Sequence, residues 1–285
     1  MVHIAILTCV DFPDLTEADR PLIRLLAEKN IQSSPIIWDA AAVDWHQFTH
    51  VLFRSVWDYF LKTDHFFKVL HDINEAGLIC FNSLSTIEYN SHKYYLQDLQ
   101  SEGIDIVPTL FLDKGSDLNK DIILSKNWEW LIIKPAISAG SYLTEKFHID
   151  QLNDIKGKYR EYMKVQDFMI QKYLPEIIDS GEISMVFFNG VFSHAVIKTP
   201  KSGDFRIQSQ FGGTYKSYQM DSSLISVGQN ILSKMQGDHL YARIDGVMSD
   251  GQFLLMEVEL IEPDLYLDHV YDGQKRLVEA MISVI

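Results

Sequence analysis

Short apolar runs alternate with helical spacings of apolar residues through roughly the first 85 residues. The spacing of Leu22, Leu25 and Leu26 predicts a helix over Thr16–Asn30, and a similar spacing predicts a second helix over Thr63–Ala76. Because strands and helices alternate, this part of the chain favours a parallel sheet covered by helices. Strands are predicted at four apolar runs: His3–Val10, Ser34–Trp38, His50–Val56 and Leu78–Phe81.

A second pattern follows, in which strands outnumber helices. Ser85 and Glu88 have the spacing of a capping box, which predicts one helix or a pair of helices ending at Gly103. Further helices are predicted after Asp150 and over Asp272–Ile285. The predicted strands are Asp105–Leu112, Trp128–Lys134, Gln166–Tyr173, Glu182–Phe188, Val191–Lys198, His239–Val247 and Gln252–Leu260.

These patterns predict the α/β (α+β) class, with a small N-terminal α/β parallel-sheet domain followed by a mixed unit rich in strands. One long polar segment interrupts the second unit. Thr199–Tyr215 contains Gly203, Gly212 and Gly213, and a loop of this length in a compact domain is often functional. We therefore expect this loop to border a site.

Composition and charge exclude several classes of protein. The 285 residues are 47% hydrophobic and 22% charged, which is typical of a soluble globular protein. No apolar run approaches the roughly 18–20 residues that span a bilayer, and the first residues predict a buried strand instead of a signal peptide. The formal net charge of −14 argues against nucleic acid as a partner. With only two cysteines, both in apolar segments, we expect a cytoplasmic protein without disulfides.

The most informative segment is residues 241–260, which predicts a hairpin around Asp250 and Gly251. Its register decides whether the charged residues of the two strands share a face. A three-residue loop pairs Met248 with Gln252 and puts the charged residues together, whereas a two-residue turn separates Asp245 from the glutamates. We predict the three-residue loop because it also creates one apolar side, formed by Ala242, Ile244, Leu254 and Met256.

Three carboxylates gather on the polar face of that hairpin: Asp245, Glu257 and Glu259. A pair of like charges about 4 Å apart costs roughly 4 kcal/mol at an effective dielectric of 20. Arg243 offsets one charge, and a divalent cation would balance the rest. Oxygen ligands select magnesium or manganese over zinc. The alternative is a solvated hairpin face on which Arg243 bridges the glutamates.

A phosphate-binding element is predicted at the end of an apolar strand. Lys134 ends the run that begins at Trp130, and the small-residue loop Ala136–Ser141 follows it. Small residues let backbone N–H groups approach phosphate oxygens, and a lysine adds a point charge. The alternative is a lysine at a strand end followed by an ordinary turn. Other cations that would complete a metal–polyphosphate site are Lys198, Arg206 and Arg243, whereas Lys93 taken alone indicates a surface lysine.

The order of these pieces resembles the ATP-grasp superfamily of carboxylate–amine ligases from about residue 85 to 265. The branch that looks closest includes glutathione synthetase, ribosomal-protein glutamate ligases and the cyclo-ligase that forms cycloserine. The matching pieces are Lys93, Ile132-Ile-Lys134-Pro, Gln171-Lys-Tyr-Leu-Pro-Glu176, Gly181-Glu182, Lys198, Gly203-Asp-Phe-Arg206, Gly212-Gly213, Arg243-Ile-Asp245 and Glu257-Val-Glu259. One departure is Glu259, which stands where asparagine is commonest in the superfamily and adds a charge.

The resemblance implies roles for these residues. Its cofactors would be ATP and Mg²⁺ or Mn²⁺. ATP would be held by Lys93, Lys134, Ser138, Gly140, Ser141, Gln171, Lys172, Tyr173 and Glu176. The metal ligands would be Asp245, Glu257 and Glu259. Lys198, Arg206 and Arg243 would face the γ-phosphate and the substrate carboxylate, and Arg54 and Trp57 would recognise the substrate.

The resemblance also implies a domain division and a reaction. Residues 1–85 would form a substrate-recognition domain, residues 86–168 the subdomain with the phosphate-binding loop, and residues 169–285 the subdomain with the metal site. The enzyme would activate an amino-acid-like carboxylate as an acyl phosphate for attack by an amine, and a homodimer is common in such enzymes. The alternatives are a non-catalytic ATP-binding regulator and a phosphotransferase that stops at a phosphorylated product.

Overall fold

The computed structural model describes residues 1–285, except for the side chain of Ser209. The strands are β1 (His3–Thr8), β2 (Gln32–Ile37), β3 (His50–Ser55), β4 (Ile79–Cys80), β5 (Thr109–Leu112), β6 (Trp130–Pro135), β7 (Glu145–His148), β8 (Phe168–Lys172), β9 (Glu182–Phe188), β10 (Val191–Thr199), β11 (Thr214–Tyr218), β12 (Tyr241–Ser249) and β13 (Gln252–Glu259). The α-helices are α1 (Pro21–Ala27), α2 (Thr63–Glu75), α3 (Leu84–Ser91), α4 (Tyr95–Ser101), α5 (Lys120–Ser125), α6 (Leu152–Met163), α7 (Glu176–Asp179), α8 (Ser222–Leu232) and α9 (Gly273–Ile282).

The first sheet is parallel and has the order β2-β1-β3-β4. Its central strand β1 is buried on both faces, as a parallel sheet between helices requires. Ile4 packs on one face with Leu22 of α1, and Leu7 packs on the other face with Phe66 of α2. The predicted α/β class with an N-terminal parallel sheet is confirmed.

Two antiparallel sheets follow. The middle sheet has the order β5-β8-β6-β7, and α6 packs Ile155 and Tyr159 against Leu131 and Phe147 of that sheet. The third sheet has the order β11-β10-β9-β12-β13, and helices α4 and α8 cover one of its faces. The other face of the third sheet carries charged side chains toward the middle sheet.

The acidic hairpin has a register that differs from the predicted one. Ser249 pairs with Gln252 across a two-residue turn, in which Asp250 and Gly251 have φ of 50° and 80°. Met248 therefore pairs with Phe253, and the predicted three-residue loop is wrong. The turn is of the kind that favours two successive residues with positive φ.

A bulge between Asp245 and Gly246 compensates for this turn. Beyond the bulge, Asp245 lies opposite Glu257 and Arg243 opposite Glu259, so the four charged residues share one face. The predicted apolar side was wrong in part. Phe253 and Leu255 join Ala242 and Ile244 in the core, whereas Leu254 and Met256 face the opposite side of the sheet.

Several local features differ from the prediction. The N-cap of α3 is Ser83, which accepts a hydrogen bond from the Thr86 amide, instead of Ser85. Helix α8 and the short strands β7 and β11 were not predicted, because mixed polar and apolar residues hide their period. The domain boundaries after residues 85 and 168 stay predictions. Among the described residues, no helix combines the length and the apolar character that a membrane crossing requires.

Candidate active site

A cavity of about 580 Å³ lies where the three sheets meet. Strands β6 and β8 of the middle sheet form part of its wall, and β9, β10, β12 and β13 of the third sheet form much of the rest. The loop after β3 contributes Trp57, Tyr59 and Phe60 to the cavity. Residues from all three sequence-predicted units therefore border one space.

One end of the cavity is apolar. Gln171, Lys172 and Tyr173 border it where β8 ends, and the Gln171 side chain is fixed by donating to Thr109 Oγ1 at 3.0 Å. The apolar side chains that line this end are Val107, Ile132, Leu174, Ile177, Ile207 and Met256. Most of these side chains belong to one apolar cluster, and an apolar slot beside the end of a strand suits a purine base.

Glu176 lies next to this end without lining the cavity. Its Oε1 accepts a hydrogen bond from Ser249 Oγ at 2.5 Å, while its buried Oε2 has no hydrogen-bond partner among the described residues. The structure thus places Glu176 at the third sheet's hairpin. Its implied contact with a ribose stays a prediction.

The small-residue loop after β6 lies beside the charged end of the cavity. Ser138, Gly140 and Ser141 line the cavity, and the last two have φ of 58° and 63°. Lys93 is buried beneath the loop, where it donates to the Ser138 carbonyl at 2.5 Å and pairs with Glu257 at 3.0 Å. The loop and Lys93 are thus held together before any ligand is bound.

Lys134 lines the same cavity but has no partner of its own. It makes no ion pair or hydrogen bond within the part of the chain that the structure describes. Burial lowers the pKa of Lys134, and the nearby charge of Glu257 opposes this effect. A half-buried ammonium group that contacts no carboxylate is well suited to receive an anionic ligand.

Asp245 is the most heavily bonded of the three hairpin acids. The Arg243 Nε donates to both carboxylate oxygens of Asp245 at 3.0 Å, and Ser184 donates a further hydrogen bond. Burial alone would raise the pKa of Asp245, but Arg243 and Lys198 outweigh burial and hold the pKa at about 2. Arg243 also pairs with Glu259, so one arginine joins both strands of the hairpin.

A second buried pair joins β9 to β10. Lys198 Nζ lies 2.6 Å from Glu182 and 3.4 Å from Asp245, and the side chains of Lys198 and Glu182 are 3% and 7% exposed. Burial raises the pKa of Glu182, although Lys198 opposes this. Lys198, Arg243 and their acids thus form one continuous network along the third sheet.

The acids and cations of this end nearly balance one another. Each of Asp245, Glu257 and Glu259 has a lysine or arginine partner, and the described residues contain no group of three His, Cys, Asp or Glu side chains set to hold a metal ion. Lys93 and Lys198 therefore offset these acids together with Arg243, which was the only counter-charge predicted on the hairpin itself. The donor set is nevertheless all carboxylate oxygen, which fits magnesium once a ligand brings additional negative charge.

Three further predicted site residues occupy different places. Arg206 lines the cavity in the loop before β11, but it pairs with Asp204 at 2.8 Å and lies over the Phe211 ring at 3.7 Å. Trp57 lines the cavity. Arg54 does not line it and is buried in an ion pair with Asp19.

Sequence reasoning assigned no role to several residues that line or brace the cavity. Glu182, Glu262 and Tyr266 line it, and Ser184 supports Asp245. Glu182 and Ser184 alternate along β9, so their period could have placed them on the charged face. No period could have identified Glu262, because it lies beyond the end of β13.

Comparisons with known proteins agree with this arrangement. The family model described as prokaryotic glutathione synthetase, ATP-grasp domain, matches residues 120–264, just over half of the chain. The model described as D-cycloserine synthetase DcsG, N-terminal domain, matches residues 4–82. The cycloserine biosynthesis protein DcsG of Streptomyces lavendulae is 24% identical over 95% of this chain and 92% of its own length.

Solved structures share the fold over the full length. The crystal structure of D-cycloserine synthetase DcsG superposes with a TM-score of 0.90 at 21% identity and covers 99% of both chains. The D-alanine–D-alanine ligase of Bacillus anthracis has a TM-score of 0.68 at 16% identity, covering 99% of this chain and 97% of its own. The three-sheet architecture is therefore one that these ligases also have.

Proposed function

Because the chain belongs to the family of the prokaryotic glutathione synthetase ATP-grasp domain and is an ATP-grasp ligase, we propose that it activates a small amino acid as an acyl phosphate and then forms a C–N bond. ATP would supply the γ-phosphate, and ADP and phosphate would be released. The observation that carries this proposal is a single cavity with an apolar slot at one end and four lysine and arginine side chains at the other: Lys93, Lys134, Lys198 and Arg243.

Different residues of the cavity would bind different parts of ATP. The adenine would lie in the apolar slot beside Gln171–Tyr173, and the triphosphate would extend along Ser138–Ser141 to Lys93 and Lys134. Lys134 is the group that gains most, because it has no protein partner. Glu176, at the start of α7, would approach the ribose, and Arg206, in the loop before β11, would approach the γ-phosphate.

The carboxylates Asp245, Glu257 and Glu259 would hold magnesium. When bound, magnesium would neutralise phosphate charge and polarise the transferred group. The triphosphate would compete with Glu257 for Lys93 and with Glu259 for Arg243, which would free carboxylate oxygens to face the metal. Arg243 and Lys198 would then stabilise the charge that develops as the substrate carboxylate attacks phosphorus.

The substrate class follows from the chemistry of the similar proteins. The names of two of them contain D-cycloserine and D-alanine, and both compounds are small and carry an amino-acid skeleton. We propose a small D-amino acid as the carboxylate substrate, with an amine-type nucleophile on the same or a second molecule. The first 85 residues would contribute the wall that selects it, and the reaction would take place in the cytoplasm, in a homodimer.

ADP release tests this proposal. The full chain is incubated with MgATP and each of D-alanine, D-serine and hydroxylamine, alone and in pairs. We expect ADP release that depends on the amino acid, and an acyl hydroxamate when hydroxylamine is present. In Asp245→Asn this release is lost, whereas Glu161→Gln, an exposed acid on α6, keeps it. ATP binding without ADP release in any combination would overturn the ligase proposal.

A further inference from the structure

One wall of the cavity holds polar groups that have no protein partner. Glu262, just beyond β13, and Tyr59, in the loop after β3, both line the cavity and are only 9% and 3% exposed. Within the described residues, neither the Glu262 carboxylate nor the Tyr59 hydroxyl makes a hydrogen bond or an ion pair. The polar atoms of these two side chains are open to the cavity and not sealed inside the protein, so a ligand group in the cavity can reach them.

The chemistry of this wall favours a cation. Glu262 is a carboxylate and can only accept hydrogen bonds when it is ionised, and the Tyr59 oxygen can accept as well. Burial, with Glu259 nearby, raises the pKa of Glu262 to about 8, so the empty cavity stabilises its charge poorly. Lys93 and Arg243 are close enough to act on Glu262 electrostatically, but neither contacts it. A ligand with a positive hydrogen-bond donor would satisfy both oxygens.

The backbone that carries Glu262 is held from three sides. Trp57 Nε1 donates to the Glu262 carbonyl at 2.9 Å, and Arg54 Nη1 donates to the Pro263 carbonyl at 3.0 Å. The Tyr241 hydroxyl lies 2.9 Å from the Ile261 carbonyl. Such bracing fixes a side chain in place before its ligand arrives. Arg54 and Trp57, predicted as substrate contacts, thus act on this wall as positioning residues.

We infer that Glu262 binds the ammonium group of the substrate amino acid, with the Tyr59 hydroxyl accepting a second hydrogen bond from it. The inference rests on the proposed function and specifies its substrate as a zwitterion. The ammonium group lies at Glu262, and the carboxylate that is activated points toward Arg243 and Lys198. The site would therefore reject carboxylic acids that lack the amino group and amino acids whose nitrogen is acylated.

The test compares D-alanine with propionate, which differs by lacking the amino group. Binding is measured by calorimetry on the full chain in the presence of MgADP. We expect the wild type to prefer D-alanine by roughly 30-fold, because breaking a buried charged pair usually has an effect of this size. In Glu262→Gln the preference should fall to a few-fold. Glu279→Gln, an exposed acid on α9, should keep the wild-type preference.

The outcomes separate this inference from the proposed function. Equal binding of D-alanine and propionate by the wild type, or an undiminished preference in Glu262→Gln, would overturn the role of Glu262. So would a wild type that binds MgATP but none of D-alanine, D-serine and D-cycloserine. A chain that fails to bind MgATP would overturn the proposed function itself. The comparison of analogues on the wild type needs no variant, so it stands even if Glu262→Gln folds poorly.

Discussion

Two sets of charged groups line the same cavity and differ in whether the protein supplies their partners. Lys198 and Arg243 are buried and paired with Glu182 and Asp245, whereas Lys134 lines the cavity without a partner. The paired groups hold β9, β10, β12 and β13 together and shape the site. The unpaired groups contact no opposite charge in the protein, so a ligand can supply their partner.

The two sets should respond to substitution in opposite ways. Removing one member of a buried ion pair leaves an uncompensated charge, which typically destabilises a protein by about 3–5 kcal/mol. Removing an unpaired buried charge relieves its desolvation penalty and leaves the fold intact. Substitution of a paired residue should thus lower the free energy of unfolding as well as activity, whereas substitution of an unpaired residue should lower ligand affinity alone.

The largest effect is expected for Lys198→Met. This change leaves Glu182 buried without its partner at 2.6 Å, so the free energy of unfolding should fall by about 3–5 kcal/mol. Urea denaturation measures it. The double variant with Glu182→Gln should recover part of the loss. Lys164→Met, which removes an exposed pair with Glu161, should change stability by less than about 1 kcal/mol. Equal losses in the two lysine variants would contradict the distinction between buried and exposed pairs.

Lys134→Met should weaken ligand binding without lowering the free energy of unfolding. We expect the affinity for MgATP to fall by about 2–3 kcal/mol, because a charge-assisted contact to phosphate is lost. The free energy of unfolding should stay constant or rise. Calorimetry and urea denaturation measure the two quantities on the same samples. Lys126→Met, which changes an exposed lysine after α5, is the matched control for loss of charge. A destabilised Lys134→Met that still binds MgATP normally would place Lys134 among the structural groups.

The elements of the fold differ in how well the sequence could predict them. Periodicity predicted the parallel sheet and most strands, because Ile4, Leu7 and Leu22 lie in regular patterns that burial enforces. The hairpin register was predicted wrongly, since the two-residue turn at Asp250 and Gly251 is combined with a bulge after Asp245, where the Phe253 ring lies against Gly246. A bulge adds one residue to one strand, and no period records it.

The ion pair between neighbouring strands of the third sheet could not be predicted from the sequence, for a different reason. Glu182 and Lys198 are separated by a hairpin, and only the antiparallel register of β9 and β10 brings them together. Arg54 illustrates the opposite error, because a charged residue at a strand end suggested a ligand contact although Asp19 satisfies it in the fold. Glu262 lies beyond the end of β13, so the alternation of side chains along a strand could not place it in the cavity.

The pH dependence of the free energy of unfolding should show whether Glu262 lacks a partner in the folded chain. Its pKa rises from an ordinary 4.5 to about 8 in the folded chain, so between these values the folded chain binds a proton that the unfolded chain does not. Stability relative to Glu262→Gln should therefore decrease as pH rises from about 5 to 8, by about 1–2 kcal/mol. Denaturation curves of both proteins across this range test it. Parallel curves would show that Glu262 already has a partner.

The smallest effect on stability is expected for Arg206→Ala. Arg206 pairs with Asp204 on a loop where its side chain is 36% exposed, so the free energy of unfolding should change by less than about 1 kcal/mol. Turnover is the informative measurement here. A fall in kcat at unchanged stability would support the implied role at the γ-phosphate, and unchanged kcat would leave Arg206 as a surface residue of the loop.

The most direct test of the central claim is a crystal structure of the full chain with a non-hydrolysable ATP analogue and magnesium. The account predicts the base in the apolar slot beside Gln171, a phosphate oxygen within hydrogen-bond distance of Lys134 Nζ, and magnesium bound by carboxylate oxygens of Asp245, Glu257 and Glu259. A nucleotide bound elsewhere, or one in this cavity whose phosphates leave Lys134 without a contact, would contradict it.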